Sequence, residues 1–141
     1  MTNEILLFDS SFTLTDRFSP EPGERFTYAV SAVEDDTLTF YAAAGSTSAS
    51  IGEHLASILI TTAGISGGYT DTHHFNPWKL MLADVDGDGH RELCVGVKKT
   101  TRYDSLMRNR LFVFNRKGPV FWPRWLGSDF NLDFEDFDFT D

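Results

Sequence analysis

Ile5-Leu6-Leu7-Phe8, Ile58-Leu59-Ile60-Thr61 and Leu111-Phe112-Val113-Phe114 are short apolar runs, each beginning 53 positions after the one before. β-branched and aromatic residues fit a pleated, half-buried surface, so each run reads as a strand. Thr27-Tyr28-Ala29-Val30, Leu38-Thr39-Phe40-Tyr41 and Leu93-Cys94-Val95-Gly96-Val97 read the same way. Turn residues bound them at Ser19-Pro20 to Gly23, at Glu34-Asp35-Asp36 and from Asn115 to Pro119. No segment carries sustained 3.6-residue periodicity. The best helical candidate, Ile51 to Ile60, has an early glycine and a β-branched end, so it reads as loop and then strand. The expectation is an all-β chain.

A second series of matches runs between the first. Ala29-Val30-Ser31-Ala32-Val33-Glu34 lies about 52 positions before Met81-Leu82-Ala83-Asp84-Val85-Asp86, and Phe137-Asp138-Phe139-Thr140-Asp141 about 57 after Leu80 to Asp84. A unit of this length with four short strands is the size of a β-propeller blade. The 141 residues then hold about two and a half antiparallel four-stranded blades. The expected units are 1–22 (the end of one blade), 23–75, 76–130 and 131–141 (the start of the next), with Leu6, Leu59 and Phe112 on third strands. Closed propellers need roughly four blades or more. The chain is therefore expected to be a piece of a longer one, or to self-associate through open blade edges. Phe130, Leu132, Phe134, Phe137 and Phe139 are expected to serve a neighbouring blade.

Composition narrows function by exclusion. Twelve basic against twenty-one acidic residues leave a net charge of −9, which disfavours nucleic acid as a partner. No apolar run approaches the ~18 residues of a membrane helix, so insertion is not expected, and Met1-Thr2-Asn3-Glu4 does not read as a signal peptide. The single cysteine, Cys94, sits mid-strand as a small buried hydrophobe. Charge is also segregated: Lys98 to Arg124 holds eight bases and one acid, and Asp129 to Asp141 six acids and no base. Two solvated faces account for this, and a basic surface for an acidic partner is the sharper possibility.

The strongest chemical motif is Asp84-Val85-Asp86-Gly87-Asp88-Gly89-His90-Arg91-Glu92. Carboxylates at alternate positions can turn to one centre, and Gly89 at the sixth position permits the left-handed turn that wraps the chain around it. His90 would offer its backbone carbonyl and Glu92 a further carboxylate. Hard oxygen donors in this number call for Ca²⁺ rather than Zn²⁺ or copper. An EF-hand would place Glu where Val95 stands, with helices on either side. The same stretch can also be a plain acidic turn.

Set between strands, Asn76 to Leu93 resembles the calcium loop of FG-GAP repeats, the blades of integrin-type β-propellers, and the related bacterial VCBS-like repeats. The resemblance implies a loop joining the first two strands of a blade and ligands Asp84, Asp86, Asp88, the His90 carbonyl and Glu92. It also implies an extracytoplasmic setting. No Phe-Gly or Gly-Ala-Pro signature is present, and the preceding unit has Ala32 and Phe40 at the first and ninth positions.

Other signals are weaker. Gly45 to Gly52 lacks the lysine of a phosphate loop and reads as a linker. Gly64-Ile65-Ser66-Gly67-Gly68 matches a nucleophile elbow but lacks the following helix, so it reads as a glycine turn. His73 and His74 with Asp71 read as surface residues, and Trp78, Trp122 and Trp125 as packing between blades. The leading expectation is a non-enzymatic, Ca²⁺-stabilised propeller segment serving as a structural or interaction module for a protein or acidic polysaccharide. The competing one is a carbohydrate-active propeller with acidic oligosaccharide at the Lys98–Arg110 loop.

Overall fold

A computed structural model describes residues 3–71, 73–117, 119–127 and 134–140. Ten strands and no helix fall within them. β1 (Ile5–Phe8) and β2 (Leu14–Phe18) form a two-stranded antiparallel ribbon. β3 (Glu24–Glu34), β4 (Thr37–Ser46), β5 (His54–Thr61) and β6 (Gly64–Asp71) follow as a four-stranded antiparallel meander. β7 (Pro77–Ala83), β8 (Glu92–Thr101), β9 (Asp104–Lys117) and β10 (Val120–Trp125) make a second. The expectation of an all-β chain is met. Among the described residues the three sheets stay open and close into neither a barrel nor a ring.

Local chemistry explains the turns. Asp35 and Asp36 both have positive φ (49° and 60°), the two-residue turn whose twist suits a hairpin, and Glu34 pairs with Thr37 across it. The β8–β9 turn is locked by Arg110, which is 1% exposed. Its Nε donates to the Lys99 carbonyl at 2.7 Å, and its Nη2 to Asp104 Oδ2 at 2.9 Å and the Leu106 carbonyl at 3.1 Å. A buried guanidinium is tolerable here because it is so fully bonded.

Packing follows strand parity. On β8, Leu93, Val95 and Val97 enter a core with Tyr41, Ala43 and Leu55 of the first meander and Phe112, Phe114 and Phe121 of the second. The two meanders thus meet across this core. On the far face of the first meander, Phe26, Ala42, Ala44, Ile58 and Ile60 pack against Ile5, Leu7 and Phe18 of the ribbon. On the far face of the second, Ala83, Cys94, Leu111 and Val113 are covered by Trp125 and by Phe134, Phe137 and Phe139 of the C-terminal segment.

That segment corrects one expectation. Phe134, Phe137 and Phe139 lie on the chain's own sheet rather than waiting for a neighbour, in a stretch with no strand. Lys79 fastens it, its Nζ donating to Asp136 Oδ1 and the Phe137 carbonyl, both at 2.6 Å. Phe130 and Leu132 lie outside the described residues. Trp78 faces the same segment, against Phe134 and Phe137, whereas Trp122 is 59% exposed and packs between no sheets.

Two glycine-rich stretches also differ from expectation. Gly64 to Gly68 is not a turn: it opens edge strand β6, with Gly64 (φ 104°) absorbing the bend before it. The strand holds because Ile65 anchors it in the ribbon-side core. Gly45 to Gly52 is not a linker but the end of β4 and the tight connection to β5. Gly52 donates its N–H to the Pro77 carbonyl at 2.9 Å, and a Cβ there would fall 2.9 Å from the Ala43 methyl.

Gly96 tests the face under the C-terminal segment. A Cβ there would lie 2.7 Å from the Trp78 indole and 2.9 Å from the Phe137 ring, whereas at Gly67 it would meet nothing within 4 Å. Gly96→Ala should cost about 1–3 kcal/mol by overpacking, and Gly67→Ala should be neutral or slightly stabilising. Urea melts of the two variants check this; equal midpoints would mean that Trp78 and Phe137 do not pack on β8.

Candidate metal centre

The acidic motif forms the whole connection between β7 and β8, whose ends are pinned by the Ala83–Glu92 pair. Asp84 organises it. Its Oδ1 accepts the N–H groups of Gly87 (2.8 Å) and Asp88 (3.1 Å), and its Oδ2 accepts that of Gly89 (2.8 Å). Asp88 Oδ1 accepts the His90 N–H at 2.8 Å. These wraps need left-handed backbone at Gly87 (φ 77°) and Gly89 (φ 89°), which glycine adopts without a Cβ clash.

Asp84, Asp86 and Asp88 are brought together: each offers a carboxylate oxygen, all within 4.8 Å of one another, and all three residues lie at the surface. Clustered, hard and anionic oxygens suit a divalent cation of the Ca²⁺ type. The other two expected ligands stand differently. His90 is exposed, and its N–H is turned to Asp88. Glu92 is 4% exposed and not part of the cluster; its Oε2 accepts the Val85 N–H at 2.9 Å and so braces the loop from beneath.

Sequence reading missed Arg124, which was counted only as part of the basic run. From β10 its Nη2 donates to Asp86 Oδ2 at 2.6 Å, and its Nη1 lies 3.6 Å from Glu92 Oε1. Desolvation pushes the Asp86 carboxyl up, but the Arg124 hydrogen bond, the Asp88 N–H and the guanidinium charge together bring it below its ordinary value. In return the bond to Asp86, then its charge, hold Arg124 above its own. Arg116 is a second unforeseen tie. It donates to the Arg91 carbonyl at 2.7 Å, meets Glu34 at 2.5 Å and lies over the Tyr41 ring, joining the loop to the first meander.

The remaining candidates make local contacts among the described residues. Ser66 Oγ donates to the Leu59 carbonyl across the strand pair at 3.4 Å. His73 Nδ1 lies 2.6 Å from Asp71 Oδ1, and the same oxygen accepts the His73 N–H at 2.8 Å. Cys94 is fully buried, and burial, with the Glu92 charge adding, pushes its thiol up to about 12, so it stays protonated and inert. No family model matches the chain, and no curated protein or solved structure matches it.

The Asp86–Arg124 pair has a signed pH dependence. Asp86 has an ordinary value of 3.8 and a lower one when folded. Its contribution to stability is therefore complete above the unfolded value and fades as pH falls through the folded one. In a carbon-detected NMR titration, Arg124→Gln should move the Asp86 midpoint upward. An unmoved midpoint would remove Arg124 as the cause.

Proposed function

We propose that this chain is a Ca²⁺-fastened segment of β-propeller repeats, acting as a non-enzymatic structural or interaction module. The observation that carries the reading is the convergence of Asp84, Asp86 and Asp88 in the connection between the first two strands of a four-stranded meander. Support also comes from the three runs spaced by 53 residues: they fall in β1, β5 and β9, and β5 and β9 are each the third strand of a meander. On this reading the ribbon is the outer half of a preceding blade.

Ca²⁺ would be held by the three aspartates and would cancel their mutual repulsion. Glu92 braces the loop through Val85, and Arg116 ties it to the neighbouring sheet. The carbohydrate-active alternative has a smaller basic surface than the sequence suggests, because Arg108 and Arg110 of the basic loop are both drawn to Asp104. An interaction module would offer its ends: β1 has a partner on one side only, and Leu6 and Phe8 are 45% and 55% exposed.

A thermal melt tests the metal. At about 10 mM Ca²⁺ and a Kd of roughly 0.1–1 mM, binding to the folded loop should stabilise it by about 1.4–2.7 kcal/mol. Mg²⁺ should do less, because it gives up its waters reluctantly. Asp84→Ala should fold less stably and lose the Ca²⁺-dependent increment, whereas His90→Ala should keep it. Identical wild-type melting temperatures in EDTA and in Ca²⁺ would falsify the assignment.

Self-association is tested separately. The open β1 edge and exposed apolar residues beside it favour pairing between copies. Light scattering over a dilution series should show discrete oligomers that shrink on dilution and on Leu6→Lys. A monomer at every concentration counts against the blade-edge reading and leaves the metal untouched.

A further inference from the structure

At the end of the second meander opposite the acidic loop, the β8–β9 turn and residues 73–75 enclose an open groove of about 650 Å³. That is within the range of small-molecule sites, roughly 300–1,000 Å³. Its floor is aromatic: Phe75 and Phe112 are 8% and 3% exposed and meet edge to face at 5.9 Å. Its rim is basic and aromatic. Lys99 Nζ is held by the His74 carbonyl at 3.2 Å and lies 5.6 Å from the Phe75 ring centre. Arg102 sits 5.7 Å from the ring centre of Tyr103, which is 81% exposed.

Two features set this groove apart from an ordinary surface cleft. Within a chain of net charge −9, Lys99 and Arg102 pair with no carboxylate among the described residues, while Arg108 and Arg110 just beyond the turn share Asp104. The second is that Tyr103, which lines the groove, leaves most of its ring open to solvent. An exposed ring beside unpaired cations offers a face on which a ligand ring can lie.

We propose that this groove binds a small carboxylate-bearing ring compound. The ring lies on the aromatic surface of Phe75 and Tyr103. Its carboxylate meets Lys99 and Arg102, where charge-assisted hydrogen bonds are the strong ones. A sugar acid and an aromatic hydroxy acid share this chemistry. The site needs no metal, so its fate is separate from that of the acidic loop.

Glucuronate and 4-hydroxybenzoate are the probes, with glucose and phenol as neutral counterparts. Each is titrated by NMR to about 10 mM, ten times above a Kd of ~1 mM. At least one acid should bind, about tenfold or more tighter than its neutral counterpart, shifting the signals of Thr101 and Tyr103; which acid does so identifies the source. Arg102→Gln and Tyr103→Ala alter exposed side chains, so melting should be unchanged while affinity falls about tenfold. The proposal is overturned if neither acid shifts the groove signals, if the neutral counterparts bind as well, or if the two variants keep wild-type affinity.

Discussion

Burial of the β3–β6 meander on both faces is the constraint from which the rest of the structure follows. Tyr41, Ala42, Ala43 and Ala44 are each at most 2% exposed, alternating between the two cores that flank their sheet. A strand covered on both sides must be apolar throughout, and small side chains let the layers approach. Gly52 continues the close fit, where Ala43 and Pro77 leave no room for a Cβ. Once the sheets are held face to face, chemistry is confined to the strand ends. The acidic loop occupies one end of the second meander and the aromatic groove the other.

Arginines on long strands tie those ends to the stack. Arg110 closes the β8–β9 turn from inside, and Arg116 crosses from β9 to Glu34 and Tyr41 of the neighbouring sheet. Arg124 reaches from β10 to the acidic loop. Guanidinium suits this work because its planar fork can satisfy several acceptors at once. A run that looks like a single basic patch in sequence is divided by the fold. Some of its charges are consumed internally, and Lys99 and Arg102 are left facing one groove.

Strand content was legible because β-branched and aromatic runs separated by turn residues are local signals, and Asp35-Asp36 marks its hairpin from sequence alone. Placement of Leu6, Leu59 and Phe112 on β1, β5 and β9 was legible from spacing. The glycine stretches were not. At Gly64–Gly68, cross-strand pairing with β5 and the anchoring of Ile65 override local turn preference, and the ribbon residues Ile5, Leu7 and Phe18 that share Ile65's core are far away in sequence. The covering of β8 by Phe134, Phe137 and Phe139 depends on Gly96 leaving space for Trp78, which no pattern on either segment shows alone. At the acidic loop, Asp84, Asp86 and Asp88 were legible because their spacing is itself the chemistry. The role of Glu92 was not, since its turn inward to Val85 is set by the closed loop and its approach to Arg124 by where β10 lies.

Arg124 also bears on how the loop would meet a cation. Asp84 collects three N–H groups and Asp86 is held by a guanidinium, so bonds within the chain shape the turn. A cation would therefore enter a formed site, and little of its binding energy would go into ordering the chain. It would, however, have to share Asp86 with a charge already 2.6 Å away. Preorganisation strengthens binding and the resident arginine weakens it. The arginine's claim is the one open to solvent screening, because Arg124 and Asp86 remain 38% and 29% exposed. The backbone wrap around Asp84 rests on left-handed Gly87 and Gly89, so it is a separate matter from whichever positive charge, guanidinium or metal, meets Asp86.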